Sequence, residues 1–231
     1  MKFNRSIFAS LLAVPLSFIA TSAQATPVTG VANIAGNVTV SSNSINFAPT
    51  FVTTAGAMET GDFTGLTGGT IASLTGGPVT GNTNVMNFIH FTSGVAAPIT
   101  FDLTYIAPGV GTLAGCGSNA LGAECTPAGS PFTLFQLNSN TVIASLQLNG
   151  NSYTGASATG TSFTTSIFST QTALNGTIPQ IVSQLSSGQT LTGITYSASF
   201  ATAPVPEPAS ILLMGMGLIG AGIVARRKAV K

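Results

Sequence analysis

Few side chains in this 231-residue chain could do chemistry. They are one histidine, His90, two cysteines, Cys116 and Cys125, and the carboxylates Glu59, Asp62, Asp102, Glu124 and Glu207. His90 is the sole histidine base for a serine or cysteine hydrolase, and no G-x-S-x-G elbow supplies a nucleophile. In the apolar run over residues 85–91 it shares parity with Met86 and Phe88, which reads as a structural position on a strand. Glu59 and Asp62 are close in sequence, but glycoside hydrolysis needs two carboxylates about 5–10 Å apart across one bond. A solvated loop is the plainer expectation. Calcium, which gathers oxygens from carboxylates, amides and main chain, is the better use of these acids: Glu59 and Asp62 share a region of sequence with Asn82, Asn84 and Asn87. No D-x-[DN]-x-[DN]-G loop is present, so they remain weak calcium candidates, and no other cofactor is expected.

The cysteines lie nine residues apart in a glycine-rich stretch. Outside the cytoplasm a Cys116–Cys125 disulfide is the default; the alternative, a metal site, would need more ligands than the neighbouring Glu124. The string Gly215-Met216-Gly217-Leu218-Ile219-Gly220 spells G-x-G-x-x-G, yet it has neither a preceding strand nor a following ribose-binding acid. These side chains favour a non-enzymatic protein.

Charge is segregated. Lys2 and Arg5 stand at one end and Arg226, Arg227, Lys228 and Lys231 at the other, so residues 26–204 contain no lysine or arginine and four acids. Phosphate-backbone neutralisation rests on Lys and Arg, so nucleic acid is excluded as a partner. Stability must come from apolar burial and backbone hydrogen bonds. A surface solvated by hydroxyls and amides also lacks the lysines that guard strand edges, which makes self-association a natural expectation.

Both ends read as targeting segments. The basic Met1-Lys2-Phe3-Asn4-Arg5, an apolar stretch over 7–20 and Ala23-Gln24-Ala25 form a secretory signal peptide over 1–25, cut after Ala25 by signal peptidase once the translocon has engaged it. At the far end Val205-Pro206-Glu207-Pro208 precedes an uncharged run over 209–225. That length is at the short end of the roughly 17–25 residues needed to cross a bilayer as a helix. The prolines keep Glu207 on extended backbone before the helix begins, and the basic stop Arg226-Arg227-Lys228 predicts a cytoplasmic carboxyl end.

Pro-Glu-Pro, apolar helix and basic end, in that order, resemble the PEP-CTERM sorting signal of Gram-negative bacteria over residues 205–231. The resemblance implies transient anchoring in the inner membrane, processing near Pro206-Glu207-Pro208 by the membrane protease exosortase, a cell-surface or extracellular destination, and a link to exopolysaccharide and biofilm. A looser similarity, carried by Cys125-Thr126-Pro127-Ala128-Gly129-Ser130-Pro131-Phe132 and Tyr196-Ser197-Ala198-Ser199-Phe200, is to the bacterial domains that commonly precede such tails. It implies a β-rich exported domain of unassigned activity.

The elements that must position these residues are mostly strands. Ile99, Phe101, Leu103 and Tyr105 alternate with Thr100, Asp102 and Thr104; Val142, Ala144, Leu146 and Leu148 share one face, and so do Ile194, Tyr196, Ala198 and Phe200. Asn138-Ser139-Asn140 is a hairpin turn. Leu66-Thr67-Gly68-Gly69 recurs as Leu74-Thr75-Gly76-Gly77, which fits a meander with Gly-Gly turns. Ile178, Ile181, Val182 and Leu185 break the period and predict one short helix near 179–186, with Pro179 at its start and Gly188 past its end. Frequent turns and strands read as short predict an all-β ectodomain over 26–204, a β-sandwich of antiparallel strands. Its expected role is that of a surface or matrix protein. A carbohydrate-binding module is the alternative, weakened by the absence of tryptophan, and a surface hydrolase is third.

Overall fold

The computed structural model describes residues 27–42, 44–53, 59–75, 80–93, 98–154, 162–204 and 215–219. Thirteen strands join into one antiparallel sheet, β1 (Gly30–Ser41), β2 (Ser44–Phe47), β3 (Thr50–Thr53), β4 (Gly68–Ile71), β5 (Leu74–Thr75), β6 (Gly81–Ser93), β7 (Ile99–Ile106), β8 (Glu124–Cys125), β9 (Thr133–Asn138), β10 (Thr141–Thr154), β11 (Ser162–Thr170), β12 (Leu174–Asn175) and β13 (Leu191–Pro204). The helix α1 spans Ile178–Ser186.

The sheet closes on itself, which corrects the expected sandwich. In the order β1, β3, β4, β6, β7, β10, β11, β13 each strand pairs with the next, and β13 returns to β1 through a ladder from Gly30↔Thr202 to Val40↔Leu191. The result is an eight-stranded up-and-down barrel. Alternation of apolar and polar residues is the same in a sandwich and in a barrel; it reports which face is buried and not whether the last strand meets the first. The strands that carry the closure are also long: β1 has 12 residues, β6 has 13, and β10 and β13 have 14 each. Closure gives each ring strand a paired neighbour on both sides, although β4 covers β6 only over its last residues, from Ile89 to Ser93.

An eight-stranded barrel has an interior just wide enough to be filled by side chains. Here Phe rings fill it. Phe101 meets Phe88 and Phe200 at centroid distances of 6.2 and 5.7 Å, and Phe168 meets Phe47, Tyr196 and Phe200 at 5.5, 5.5 and 5.8 Å. Near-perpendicular pairs such as Phe91–Phe200, with planes at 90°, set ring edge against ring face, which is worth about 0.5–1.5 kcal/mol beyond area burial. Room for the rings comes from the small inward residues of β10 and β11. Gly150 lies against Phe101, and Ser152, Ser162, Thr164 and Ser166 are all buried. Ser152 and Thr164 satisfy each other through a 2.7 Å hydroxyl pair, and Ser166 donates to the Leu148 carbonyl at 3.2 Å. Outward positions are largely polar, as at Asn37, Gln147 and Ser199, the reverse of the apolar-out pattern of a membrane barrel.

Strict alternation breaks down in β6 and in β7. The β6–β7 register shifts between Val85 and Ile89, where Asn87 takes φ 52°, the left-handed region open to asparagine. The bulge puts Phe88 inside while Met86 is 53 % exposed, so His90 does not share a face with both. On β7 the inward Ile99, Phe101 and Leu103 are buried as expected, but Tyr105 is half-buried, and the opposite-facing Thr100 and Asp102 are buried as well.

The helix forms where its period predicts. Thr177 and Gln180 make a reciprocal capping box, Pro179 occupies the first turn, and Gly188 beyond the end adopts φ +80°. Ile178 and Ile181 are buried in the core, and the Ile178 amide donates to Gln136 Oε1 of β9 at 2.8 Å. Among the described residues no helix is long and apolar enough to cross a membrane. Residues 215–219 are helical, but most of the predicted span 209–225 and the signal peptide over 1–25 lie outside the described residues.

Candidate functional site

The two ends of the barrel differ. At one end Thr202 pairs with Gly30, Pro204 with Ser162, and Pro27 bridges to Tyr153, so the domain's first and last described residues leave together. At the other end sit α1, β12 and the loop between β7 and β9. Cys116 and Cys125 are disulfide-bonded with Cα atoms 4.7 Å apart, and the loop also contains a 3-10 turn, Ala114–Gly117, and the strand β8, whose Cys125 pairs with Leu134. Beside it, Val110, Leu113 and Leu121 are exposed apolar side chains.

Between α1 and the 127–132 loop the barrel end holds an apolar cavity of about 60 Å³. Its wall includes Val38, Leu146, Phe168, Ile181, Ile194 and Tyr196. A wider recess of about 220 Å³ adjoins it and shares Phe132 and Leu185 with it. Tyr196 is 2 % exposed, and its hydroxyl has no hydrogen-bond partner among the described residues. Burial pushes its pKa up from the ordinary 10.0. Alternation places Tyr196 in the core, but no sequence signal shows that its hydroxyl is buried without a partner among the described residues.

The other sequence candidates are dispersed. Asp62 is a tie between segments: its Oδ2 accepts from the Thr29 amide at 2.7 Å and from the Thr29 hydroxyl at 3.3 Å, while the Val31 amide donates to Thr60 Oγ1 at 3.0 Å. Glu59 has one buried carboxylate oxygen without a hydrogen-bond partner among the described residues. No group of three or more His, Cys, Asp or Glu side chains capable of holding a metal ion occurs among the described residues. His90 lies on the outer face of β6, paired with Thr70 on one side and Thr100 on the other. On that outer face Asp102 Oδ1 accepts from the Asn87 amide at 2.6 Å and from the Tyr153 hydroxyl at 3.4 Å. Burial of Tyr153, followed by the charge of Asp102 and the hydrogen bond to it, raises the Tyr153 pKa. Asp102 thus fixes the bulge, a role its strand position did not announce.

Ala23, Ala25, Pro206, Glu207, Pro208, Arg226, Arg227 and Lys228 lie outside the described residues. Comparison with protein families matches the model of the PEP-CTERM protein-sorting motif at residues 204–228. The chain carries a PEP-CTERM sorting motif. The match begins at Pro204, the last residue of β13, so the PEP-CTERM region follows the barrel without an intervening domain. The motif implies processing by exosortase and indicates a secreted protein that is sorted and anchored at the membrane. No curated protein and no solved structure matches this chain.

Proposed function

We propose that the barrel is the displayed, non-enzymatic part of a cell-surface or extracellular-matrix protein, released or transferred by exosortase and associated with exopolysaccharide. The observation that carries this reading is the shared exit of the two ends. Pro27 and Pro204 leave from one end of the barrel, so an anchor following Pro204 would present the end bearing α1 and the disulfide-stapled loop away from the membrane. A domain without lysine or arginine would pass among neutral or acidic polysaccharides without binding them indiscriminately. The test is the intact mass of the protein outside the cell, with and without exosortase. A mass lacking Arg226 to Lys231, found only when exosortase is present, is the expected result; an external chain still carrying those residues would overturn the reading.

A carbohydrate-binding module is the second reading. It is favoured by an amide-lined recess of about 430 Å³ beside α1, which includes Asn140, Asn175, Gln180 and Gln184. Glycan-array binding lost on Asn175→Ala would support it, and ligand-independent polymerisation would favour the matrix role.

A further inference from the structure

The sorting motif and the barrel overlap by one residue. The family match starts at Pro204, and Pro204 is also the last residue of β13, paired with Ser162 of β11. One step back Ala203 pairs with Phe163, and Thr202 is held on both sides, by Thr164 of β11 and Gly30 of β1. Only Val205 separates this ladder from Pro206. Two residues of fully extended chain span roughly 7 Å, while a paired strand lies only about 4.8 Å to the side. A protease that grips Pro206-Glu207-Pro208 and the residues before it as extended chain needs both edges of that chain. Along Thr202 to Pro204, β11 already occupies one of them.

The end of β13 is weakly held. The β1 ladder stops at Gly30↔Thr202, so Ala203 and Pro204 have β11 alone as a neighbour among the described strands. Pro204 has no amide hydrogen to donate to it. Both residues are exposed, and strand ends of this kind open at little cost compared with unfolding of the whole domain. The last side-chain tie is the Thr202 hydroxyl, which donates to the Gly30 carbonyl at 3.1 Å. Further back the strand is firmly anchored, because Phe200 packs in the core against Phe91, Phe101 and Phe168.

We propose that exosortase takes its substrate from an opened barrel end: Thr202 to Pro204 leave the ladder and enter the protease as extended chain ahead of Pro206-Glu207-Pro208, while Phe200 keeps the rest of β13 in place. The end of β13 is then both a barrel strand and part of the segment that the protease binds. This inference rests on the exosortase reading above and adds to it the stretch that must be freed. Opening precedes the cut and leaves its chemistry unaltered.

The test follows processing of the full-length chain over time in cells containing exosortase, by pulse labelling and intact mass. A short glycine-serine insert between Pro204 and Val205 supplies free chain and should speed processing several-fold. Thr202→Val, which loses the hydroxyl tie, should speed it about threefold, the worth of one hydrogen bond; Thr202→Ser, which keeps the tie, should change it little. Phe163→Cys combined with Ala203→Cys sets two thiols directly across the ladder, within disulfide reach. This clamp should bring processing close to a stop, and adding the insert to the clamped chain should restore it, which also shows that the clamped barrel is folded. A parent chain that is processed, with a half-time that neither insert nor clamp alters, would overturn the opening and leave the exosortase reading standing. A parent chain never processed in the presence of exosortase would overturn both.

Discussion

The ring of Tyr196 covers the bare backbone of Gly36, its partner across the β1–β13 ladder: a Cβ on Gly36 would lie 2.9 Å from both Tyr196 Cε1 and Oη. Gly36 does not need glycine for its dihedral angles; it needs glycine for the space. Gly36→Ala should therefore overpack the barrel and cost about 1–3 kcal/mol, read as a melting temperature lower by several degrees. Combined with Tyr196→Leu, which removes the ring, the alanine penalty should largely disappear. A Gly36→Ala protein as stable as the parent would show that the ring has room to move.

Two buried tyrosines make the barrel sensitive to alkali. The pKa values of Tyr153 and Tyr196 are raised above the ordinary 10.0, chiefly by desolvation, so the folded state holds these protons more tightly than the unfolded state. Their contribution to stability is complete below pH 10, and it is lost as pH rises through the folded-state values. Chemical denaturation between pH 8 and pH 11.5 should show stability falling above about pH 10. Tyr196→Phe should flatten that fall while leaving stability at pH 7 equal or higher, because the phenol has no partner to lose among the described residues. A profile unchanged by the substitution would place the alkaline loss elsewhere.

The apolar faces of β7, β10 and β13 and the whole of α1 were legible in the sequence because each rests on local periodicity. Val142, Leu146, Leu148, Ile194, Tyr196, Ala198 and Phe200 are all buried where alternation puts them. Closure was not legible, since the pairing of Gly30 with Thr202 joins residues 172 apart and leaves no local trace. The buried Ser152, Ser162, Thr164 and Ser166 were also missed: hydroxyls read as solvent-facing unless one knows that Phe rings from the opposite wall leave space for nothing larger. As for the candidate sites, the sorting tail is written in consecutive residues and could be read directly. The cavity depends on where a helix, a loop and several strands far apart in sequence meet, and no stretch of sequence spells it.

The bulge in β6 is held by one carboxylate. Asp102 Oδ1 accepts the Asn87 amide at 2.6 Å, and Asn87 sits at φ 52°. Asp102→Ala would leave that amide without its acceptor at a cost of about 1–3 kcal/mol, whereas Asp102→Asn keeps an oxygen and should cost less. Asn87→Gly should be close to neutral, and Asn87→Val, whose branched Cβ resists the left-handed region, should destabilise by about 1–3 kcal/mol. Denaturation midpoints of the four variants check the order. Equal stability of the glycine and valine proteins would mean that β6 re-registers without the bulge, and Met86 would then turn inward.

Reduction of Cys116–Cys125 should loosen one loop and leave the barrel standing. The bond closes a segment of nine residues, for which restriction of the unfolded chain corresponds to about 2–3 kcal/mol. Its effect should be local, because the neighbouring helix has its own attachment: the Ile178 amide is bonded to Gln136 Oε1, and Gln136 is itself fully buried on β9. A Cys116→Ser/Cys125→Ser protein should melt several degrees lower. Its amides should exchange faster over 112–125, with protection of α1 and of the β1–β13 ladder retained. Loss of protection across α1 as well would mean that the staple, and not the glutamine bond, positions the helix over the cavity.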